Sequence, residues 1–382
     1  MEIAFTDEQD MLRESIRKLL DRYSPPAAVR ELEDDPVGYS TELWEELAGM
    51  GLLGLTIPEK YGGSEMSALE NVILYEELGR ALAPTPHFVT SVLGAGALLA
   101  GESEELRAEW LPKIAEGKAI LTTAWFEPEA SSGPEGIGLT AEQDGDRFRL
   151  TGTKILIPFA SSATRILVLG RELDGDVGVF PVDPAGSGVN VEREQTLAAD
   201  ASYRITFDGA EIAASDRIGS WDAWQETLVD GFIALAAFAL AGAERAHEMA
   251  VEYAKERVQF GKPIGSFQAI AHPLADAATE IEGGKTLVYE AASVRAGGGN
   301  ASTLAAMAKL YGCDVFRRTT KLGQQVLGGI GFTVDIDMQL YFRRAKQLEL
   351  TWGDPRYLEE LIAGAELDAA TPFVGIDAGP KA

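Results

Sequence analysis

The pattern of apolar and polar residues changes along the chain and predicts three regions. Between residues 1 and 118, apolar residues recur at the three- and four-residue spacing of one helix face. Between 119 and 225, short apolar or alternating runs are separated by Gly and Asp, as in strands and turns. The helical spacing returns from 226 to 364, and the composition of residues 365–382 predicts a loose tail. We therefore predict an α+β protein of three domains.

The middle region contains several short runs that we predict to be strands. Each run is apolar or alternates between apolar and polar residues, and each is bounded by Gly, Asp or other turn-forming residues. The runs are Ile120–Trp125, Phe148–Thr151, Ile155–Pro158, Arg165–Leu169 and Val177–Pro181. This region is therefore expected to be a β domain.

A long apolar run from Leu228 to Tyr253 predicts a buried helix. It is rich in Ala and Leu and contains no Pro. Its apolar part resembles a membrane span, but its charged residues favour the core of a helical bundle and no membrane. After it, Gly261, Pro263 and Gly265 interrupt the helical pattern, and a second helix is expected from about Phe267. The charged residues are Asp230, Glu244, Arg245 and Glu248.

Composition and charge limit what the protein can bind. The 382 residues carry a formal net charge of −27, which disfavours nucleic acid as a partner. A single cysteine excludes an internal disulfide, and the histidines are too few and too scattered to predict a metal site. The first residues lack the basic and apolar stretches of a signal peptide, so we expect a cytoplasmic protein.

The turn between the two long helices carries the first candidate binding residues. Arg257, Gln259 and Phe260 lie in it, and Gln268 follows at the start of the next helix. An Arg in such a turn can pair with an anionic group, and an exposed Phe can stack on a planar one. On composition alone, an ordinary helical hairpin with a solvated Arg is the commoner explanation.

The complete string at this turn, ERVQFGKPIGSFQAI, resembles the turn between the last-domain helices of acyl-CoA dehydrogenases, a family of flavoenzymes. The resemblance implies that Arg257, Gln259, Phe260 and Gln268 contact the FAD of a neighbouring subunit. It also implies the family's fold, in which an N-terminal helical domain and a middle β-barrel or β-sandwich domain precede a C-terminal four-helix bundle. The order of regions predicted above agrees with this fold.

A glycine-rich string strengthens the resemblance. The residues QVLGGIGF, which begin at Gln325, are similar to the family's Gln-x-x-Gly-Gly-x-Gly-Phe turn. The resemblance implies that Gln325, Gly328 and Gly329 meet the pyrophosphate of the partner's FAD. Glycines would leave backbone N–H groups free to face a phosphate, although a glycine-rich turn by itself more often only ends a helix.

The family's reaction needs a carboxylate that removes a proton next to the thioester carbonyl of an acyl-CoA, while FAD accepts the hydride. In many members this base lies in a Tyr-Glu-Gly-Thr string that follows the glycine turn. An alignment from Gly328 onward needs no gap and places Trp352 at the base position. An indole N–H can only donate, so Trp352 cannot be the base. Just before it, Arg343-Arg344-Ala345-Lys346 takes the place of the family's Arg-Asp-Ala-Lys.

Two other carboxylates are candidates for the missing base. Asp354 lies just after the usual position on a segment that could swing it inward, although it can also cap the helix that begins at Pro355. Some members of the family carry the base on the preceding long helix, at the position of Gly231 here. Asp230 is its neighbour, but one residue corresponds to about 100° around a helix, so Asp230 should point elsewhere.

The residues that would face this chain's own flavin also depart from the family pattern. The family's Thr-Glu-Pro-Gly-x-Gly-Ser is FEPEASS here, which keeps Ser132 as a cofactor contact and replaces the Thr by Phe126. The family's Lys-x-Trp-Ile-Thr is KILIP here, so Leu156 replaces the Trp and Pro158 the Thr. The groups that a subunit offers to its own FAD are thus replaced, whereas the groups that it lends to a neighbour are kept.

Three functions are compatible with this asymmetry. The first, which we favour, is a base-lacking subunit of a heterotetramer whose paralogous partner carries the base, as in actinobacterial steroid side-chain breakdown. The second is a self-sufficient homotetrameric acyl-CoA dehydrogenase that uses Asp354. The third is a flavin oxidase or monooxygenase, for which the sequence contains no motif. For the first two, the resemblance implies FAD, a fatty-acyl or steroid-type acyl-CoA substrate and electron-transfer flavoprotein as the electron acceptor.

Overall fold

The N-terminal region is helical in the computed structural model, which describes residues 5–129 and 131–368. Thr6 and Gln9 form a reciprocal capping box at the first helix, as their spacing predicts. The helices are α1 (Asp7–Tyr23), α2 (Pro26–Glu33), α3 (Thr41–Gly49), α4 (Ala68–Ala81), α5 (Ala95–Ala100) and α6 (Glu104–Ala115), and a π-helical segment, Phe88–Gly94, precedes α5.

The middle region forms one mixed sheet of eight strands. Its strands are β1 (Leu121–Ala124), β2 (Thr140–Asp144), β3 (Arg147–Pro158), β4 (Arg165–Glu172), β5 (Val177–Val182), β6 (Val189–Glu194), β7 (Ser202–Ala213) and β8 (Gly219–Ser220). The spatial order is β6-β7-β3-β2-β4-β5-β8, and β1 pairs parallel with β4. Two runs that the sequence predicts as separate strands, Phe148–Thr151 and Ile155–Pro158, belong to β3. The pairing of β3 with β7 is irregular between Leu150 and Thr151 and between Lys154 and Ile157, where Leu156 has φ +53°.

The C-terminal region is a helical bundle. It consists of α7 (Trp221–Glu256), α8 (Gln268–Ala296), α9 (Ser302–Leu327) and α10 (Met338–Leu350), and α11 (Pro355–Leu367) packs on α9. Helix α7 begins before the predicted boundary at residue 226, and α11 extends past the predicted start of the tail at residue 365. The rest of the predicted tail, residues 369–382, lies outside the described residues.

Helix α7 is the central helix of the bundle. Within the described residues it alone is long and apolar enough to cross a membrane, with a mean hydropathy of 1.6, but 83% of that window is buried inside the protein. Small residues allow neighbours to approach it closely, because a Cβ added to Gly79 of α4 would lie 2.2 Å from the carbonyl oxygen of Phe238. Its length and apolarity therefore serve helix packing, as its charged residues predict.

Candidate functional site

The segment between α7 and α8 forms a tight β-hairpin, which the sequence analysis predicts only as a turn. Strands β9 (Val258–Gln259) and β10 (Lys262–Pro263) pair antiparallel, and Phe260 and Gly261 between them have φ +54° and +83°. Positive φ at both positions suits a two-residue hairpin, but it is unfavourable for a bulky side chain. The Phe260 side chain is 91% exposed. The hairpin therefore presents a large aromatic ring to the outside at a cost in backbone energy.

The glycine turn lies at the same end of the bundle as this hairpin. Helices α8 and α9 run antiparallel because only residues 297–301 join them, so α9 ends beside the start of α8. Helix α9 ends at Leu327, and a Cβ added to Gly328 or Gly329 would meet no atom within 4 Å. No neighbouring side chain therefore shields the backbone of either glycine, although the Gly328 N–H already donates to the Gln324 carbonyl.

The fold thus brings together the residues that resemble the family's outward FAD contacts. In the described part of the chain, the Arg257 side chain forms no ion pair, which leaves its guanidinium available for an anion. The amide of Gln259 donates to the Val258 carbonyl at 2.7 Å. All of these candidate residues are exposed: Arg257, Gln259, Phe260, Gln268, Gln325, Gly328 and Gly329.

Aromatic side chains fill the region in which this chain lacks the family's flavin contacts. Phe126 stacks on Trp125 with ring centroids 5.1 Å apart and meets the edge of Trp352 at 5.7 Å. Trp352 also meets Phe88 edge-on at 5.4 Å. Phe126 and Trp352 are both buried, so their rings form a packed apolar wall. This wall offers neither the hydroxyl nor the carboxylate of the family pattern.

The turn that carries Trp352 is held from behind by a buried lysine. Trp352 and Gly353 have φ +57° and +91°, and for Trp this conformation is strained. The Nζ of Lys309 on α9 donates to the carbonyl oxygens of Leu348 at 3.3 Å, Thr351 at 2.9 Å and Gly353 at 2.5 Å. Burial lowers the pKa of Lys309, and the three carbonyls replace part of its hydration. The position of Trp352 therefore depends on a side chain that no sequence pattern singles out.

Asp354 caps α11, which is one of the two roles predicted for it. Its Oδ1 accepts hydrogen bonds from the backbone N–H groups of Arg356 at 3.0 Å and Tyr357 at 3.3 Å. Its Oδ2 accepts a hydrogen bond from the buried hydroxyl of Ser132 at 2.7 Å. The hydroxyl of Ser132, a candidate FAD contact, therefore donates its hydrogen bond to the Asp354 carboxylate.

Asp230, the other alternative carboxylate, is held in an ion pair. Its two oxygens accept hydrogen bonds from Nε and Nη2 of Arg295 on α8 at 2.9 and 2.8 Å. This bidentate pair joins α7 to α8 at the side of the bundle. The carboxylate therefore serves the packing of the two helices.

A cavity of about 270 Å³ lies where the three regions of the chain meet. Phe88, Leu235 and Trp352 contribute to its apolar walls. Neither Asp354 nor Asp230 lines it. The described carboxylate that does line it is Asp200, which the sequence analysis missed because nothing in its local sequence marks it.

Both oxygens of Asp200 are already engaged. Oδ1 accepts a hydrogen bond from the Thr196 hydroxyl at 2.6 Å, and Oδ2 accepts one from the Gln347 amide. These two bonds hold the carboxylate against Thr196 and Gln347. Asp200 is therefore poorly suited to be the missing base.

A buried tyrosine–histidine pair lies behind the cavity wall. The Nε2–H of His87 donates to the Leu52 carbonyl at 3.1 Å, so Nδ1 must accept the proton of the Tyr75 hydroxyl, 2.9 Å away. Tyr75 lines the cavity. Burial lowers the pKa of His87 from 6.5 to about 4, so the imidazole is neutral at physiological pH.

We expect His87 to make the stability of the fold depend on pH. In the unfolded chain it binds a proton near its ordinary pKa of 6.5, whereas in the folded protein it stays neutral down to about pH 4. The free energy of unfolding should therefore fall as the pH falls through this window, by up to about 3 kcal/mol. Urea unfolding of the wild type and of His87→Gln at about pH 7 and about pH 4.5 measures this contribution. A difference between the two proteins that does not shrink at the lower pH would contradict the assignment.

The two groups of candidate residues fit a dinucleotide differently. The outward group offers a guanidinium, an exposed glycine backbone and an exposed ring, which suit a pyrophosphate and a planar base. The inward group offers packed aromatic rings and a serine that is bonded to Asp354. Among residues 5–129 and 131–368, no cluster of His, Cys, Asp or Glu could hold a metal ion.

Known proteins resemble this chain over nearly its whole length. The model of the acyl-CoA dehydrogenase N-terminal domain matches residues 6–118, and that of the C-terminal domain matches residues 221–366. The chain is 32% identical over 363 residues to acyl-CoA dehydrogenase FadE27 of Mycobacterium tuberculosis, which covers 92% of this chain and 95% of that protein. The chain belongs to the acyl-CoA dehydrogenase family. It is an oxidoreductase of this type, and the family is generally flavin-dependent.

Two similar solved structures are named as pairs of proteins. One is the ChsE4-ChsE5 complex from Mycobacterium tuberculosis, with a TM-score of 0.88, 31% identity, and coverage of 97% of this chain and 100% of that chain. The other is the Tcur3481-Tcur3483 steroid ACAD, with a TM-score of 0.85, 33% identity, and coverage of 94% and 98%. The predicted order of a helical, a β and a helical region is confirmed as the fold of this acyl-CoA dehydrogenase.

Proposed function

We propose that this chain is the base-lacking subunit of a heteromeric acyl-CoA dehydrogenase and completes the FAD site of a paralogous subunit that carries the base. The observation that carries the proposal is Trp352, which occupies the usual base position as a buried ring packed on Phe88 and Phe126. The nearest carboxylate along the chain, Asp354, is bonded to Ser132 and to the start of α11. No group in this wall can accept the substrate proton.

In this assembly, the outward residues bind the cofactor of the partner. Arg257 donates charge-assisted hydrogen bonds to a phosphate, and the backbone N–H of Gly329 adds an uncharged donor, whereas that of Gly328 is bonded to the Gln324 carbonyl. Phe260 stacks on a planar ring of the cofactor. When bound, FAD supplies the hydride acceptor, and a carboxylate of the partner takes the proton. The remaining contacts come from the amides of Gln259, Gln268 and Gln325.

The similar structures support a heteromer and a bulky substrate. Both are named as pairs of proteins, and one of them is named a steroid ACAD. We extend the proposal accordingly to a heterotetramer in the cytoplasm that acts on a fatty-acyl or steroid-type acyl-CoA. Electron-transfer flavoprotein is proposed as its electron acceptor, in line with the family.

Expression of the chain alone and with its paralogous partner tests the proposal. We expect the chain that is purified alone to contain almost no FAD. The reason is that aromatic side chains fill the region in which its own flavin would bind. Co-expression should produce a heterotetramer that contains FAD and oxidises acyl-CoA. Flavin absorbance and molar mass from light scattering measure both properties. A yellow, active homotetramer of this chain alone would refute the proposal.

The second candidate function is a self-sufficient homotetramer with Asp354 as the base. In its favour, Asp354 follows directly on the turn that places Trp352 in the cavity wall. The two candidates differ in what a substitution at Asp354 should do to catalysis.

We expect Asp354→Ala to lower the stability of the fold and Asp354→Asn to leave it almost unchanged. Ala removes the cap of α11 and the acceptor for Ser132, which should lower the free energy of unfolding by about 1–2 kcal/mol. Asn keeps a capping oxygen, so it should preserve most of the stability. Under the proposed function, kcat of the co-expressed complex stays within about threefold of the wild type in Asp354→Asn. A fall of about 100-fold or more in that folded variant would establish the second candidate.

A further inference from the structure

The cavity has one cationic end. Arg344 of α10 lines it, and the hydrogen bond of its side chain within the described residues runs from Nη1 to Oε1 of Gln347 at 2.7 Å. Arg344 forms no ion pair with a described carboxylate. Its neighbour Arg343, by contrast, is paired with Glu33 at 2.5 Å and lies outside the cavity.

Arg344 is half-buried, which makes the lack of an anionic partner costly. Burial lowers its pKa from the ordinary 12.5, but a guanidinium remains charged at neutral pH. A guanidinium has five N–H donors, and Arg344 uses one of them on Gln347. Buried cations normally have an anionic partner. Arg344 lines the cavity, so an anion inside the cavity could bind its unused donors.

Asp200 reduces this demand without meeting it. Asp200 attracts the charge of Arg344, but its oxygens are bonded to Thr196 and Gln347. Gln347 lies between the two charged groups and bonds both of them. Lys346, the other cation in the wall, is already paired with Glu349 at 2.5 Å. Arg344 is therefore the cation that is left to bind a ligand.

The rest of the cavity is apolar. Leu156, Leu235, Phe238 and the ring of Trp352 line it beyond the cationic end. Its volume of about 270 Å³ is near the lower end for small-molecule sites. The ligand that matches both ends is an anionic head group on a short or medium hydrocarbon chain.

We propose that the cavity of this chain binds a medium-chain carboxylate, whose head group pairs with Arg344 and whose hydrocarbon part lies against Trp352. The ligand is bound without being converted, because no base faces it. The inference rests on the proposed function, since a flavin ring held by this chain itself would occupy the same space. The site is then an effector site in the subunit that does not catalyse.

Calorimetric titration of the chain purified alone, with octanoate and with octan-1-ol, tests the proposal. The two probes have the same hydrocarbon chain, so the difference between their affinities measures the head group. Octanoate should bind at least about tenfold more tightly than octan-1-ol. This preference should disappear in Arg344→Gln and persist in Arg343→Gln, which removes the same charge from the adjacent residue.

Several results would overturn the proposal. Equal affinities in the wild type would do so without any variant, and so would the absence of octanoate binding. A preference that survives in folded Arg344→Gln would place the carboxylate elsewhere. Flavin absorbance of the same sample separates the two proposals. FAD on the chain alone would refute the proposed function and this inference together, whereas an FAD-free chain that ignores octanoate would refute this inference only.

Discussion

In the proposed heteromer, Arg257→Ala should weaken the binding of FAD by about 10- to 100-fold. The exposed guanidinium has no partner of its own among the described residues, so its hydrogen bonds to a phosphate would be lost without compensation within the chain. Hydrogen bonds to charged groups contribute about 1.5–3 kcal/mol, which corresponds to this range of affinities. Titration of the apo complex with FAD, followed by flavin fluorescence, measures the effect.

Lys255→Ala is the matched control for this experiment. Lys255 is an exposed cation at the end of the same helix, and it is not among the residues that resemble FAD contacts. We expect it to change the affinity less than about twofold, because exposed charges act weakly through solvent. Equal losses of FAD affinity in the two variants would mean that FAD responds only to the overall charge of this surface. An unchanged affinity in Arg257→Ala would remove this residue from the FAD site.

Lys309→Met should lower the free energy of unfolding by about 3 kcal/mol. Methionine has a similar length and fills the space, but it leaves the carbonyls of Thr351 and Gly353 without their donor, and that of Leu348 keeps only the Cys313 thiol. Each buried carbonyl left unpaired costs about 1–3 kcal/mol, and the removal of the buried charge offsets part of that cost. Urea unfolding measures the change, and near-ultraviolet circular dichroism follows the loosening of Trp352.

Lys321→Met makes the same substitution at an exposed position of α9 and is the control. Its free energy of unfolding should stay within about 0.5 kcal/mol of the wild type. If Lys309→Met were as stable as Lys321→Met, the buried ammonium would not be what holds the turn. The conformation of Trp352 would then depend on its aromatic neighbours alone.

Structural features that depend on a few neighbouring residues could be predicted from the sequence. The caps at Thr6 and Asp354 are confirmed, because a cap is a hydrogen bond to backbone two or three residues away. The main helices were predictable for a similar reason, since their apolar spacing repeats within each turn.

The sheet was predicted less completely, because a strand is stabilised by partners that are distant in sequence. Strand β6 (Val189–Glu194) is polar and largely solvent-accessible, and its pairing with β7 alone identifies it as a strand. Strand β3 appears as two runs because Gly152, Thr153 and Lys154 interrupt its apolar pattern, although all three pair with β7. The hairpin at Phe260 was predicted as a simple turn, since its strands contain two residues each.

The sequence by itself determined the family, the lack of a carboxylate at the base position and the retention of the outward residues, because these depend only on which residue occupies each aligned position. The tertiary structure alone decided what those residues touch. Ser132 and Asp354 are 222 positions apart, yet they share a hydrogen bond. Arg344 and Asp200 meet at one cavity, and Lys309 holds the turn of Trp352. Such contacts arise from the packing of the three regions against one another, which no local pattern of residues records.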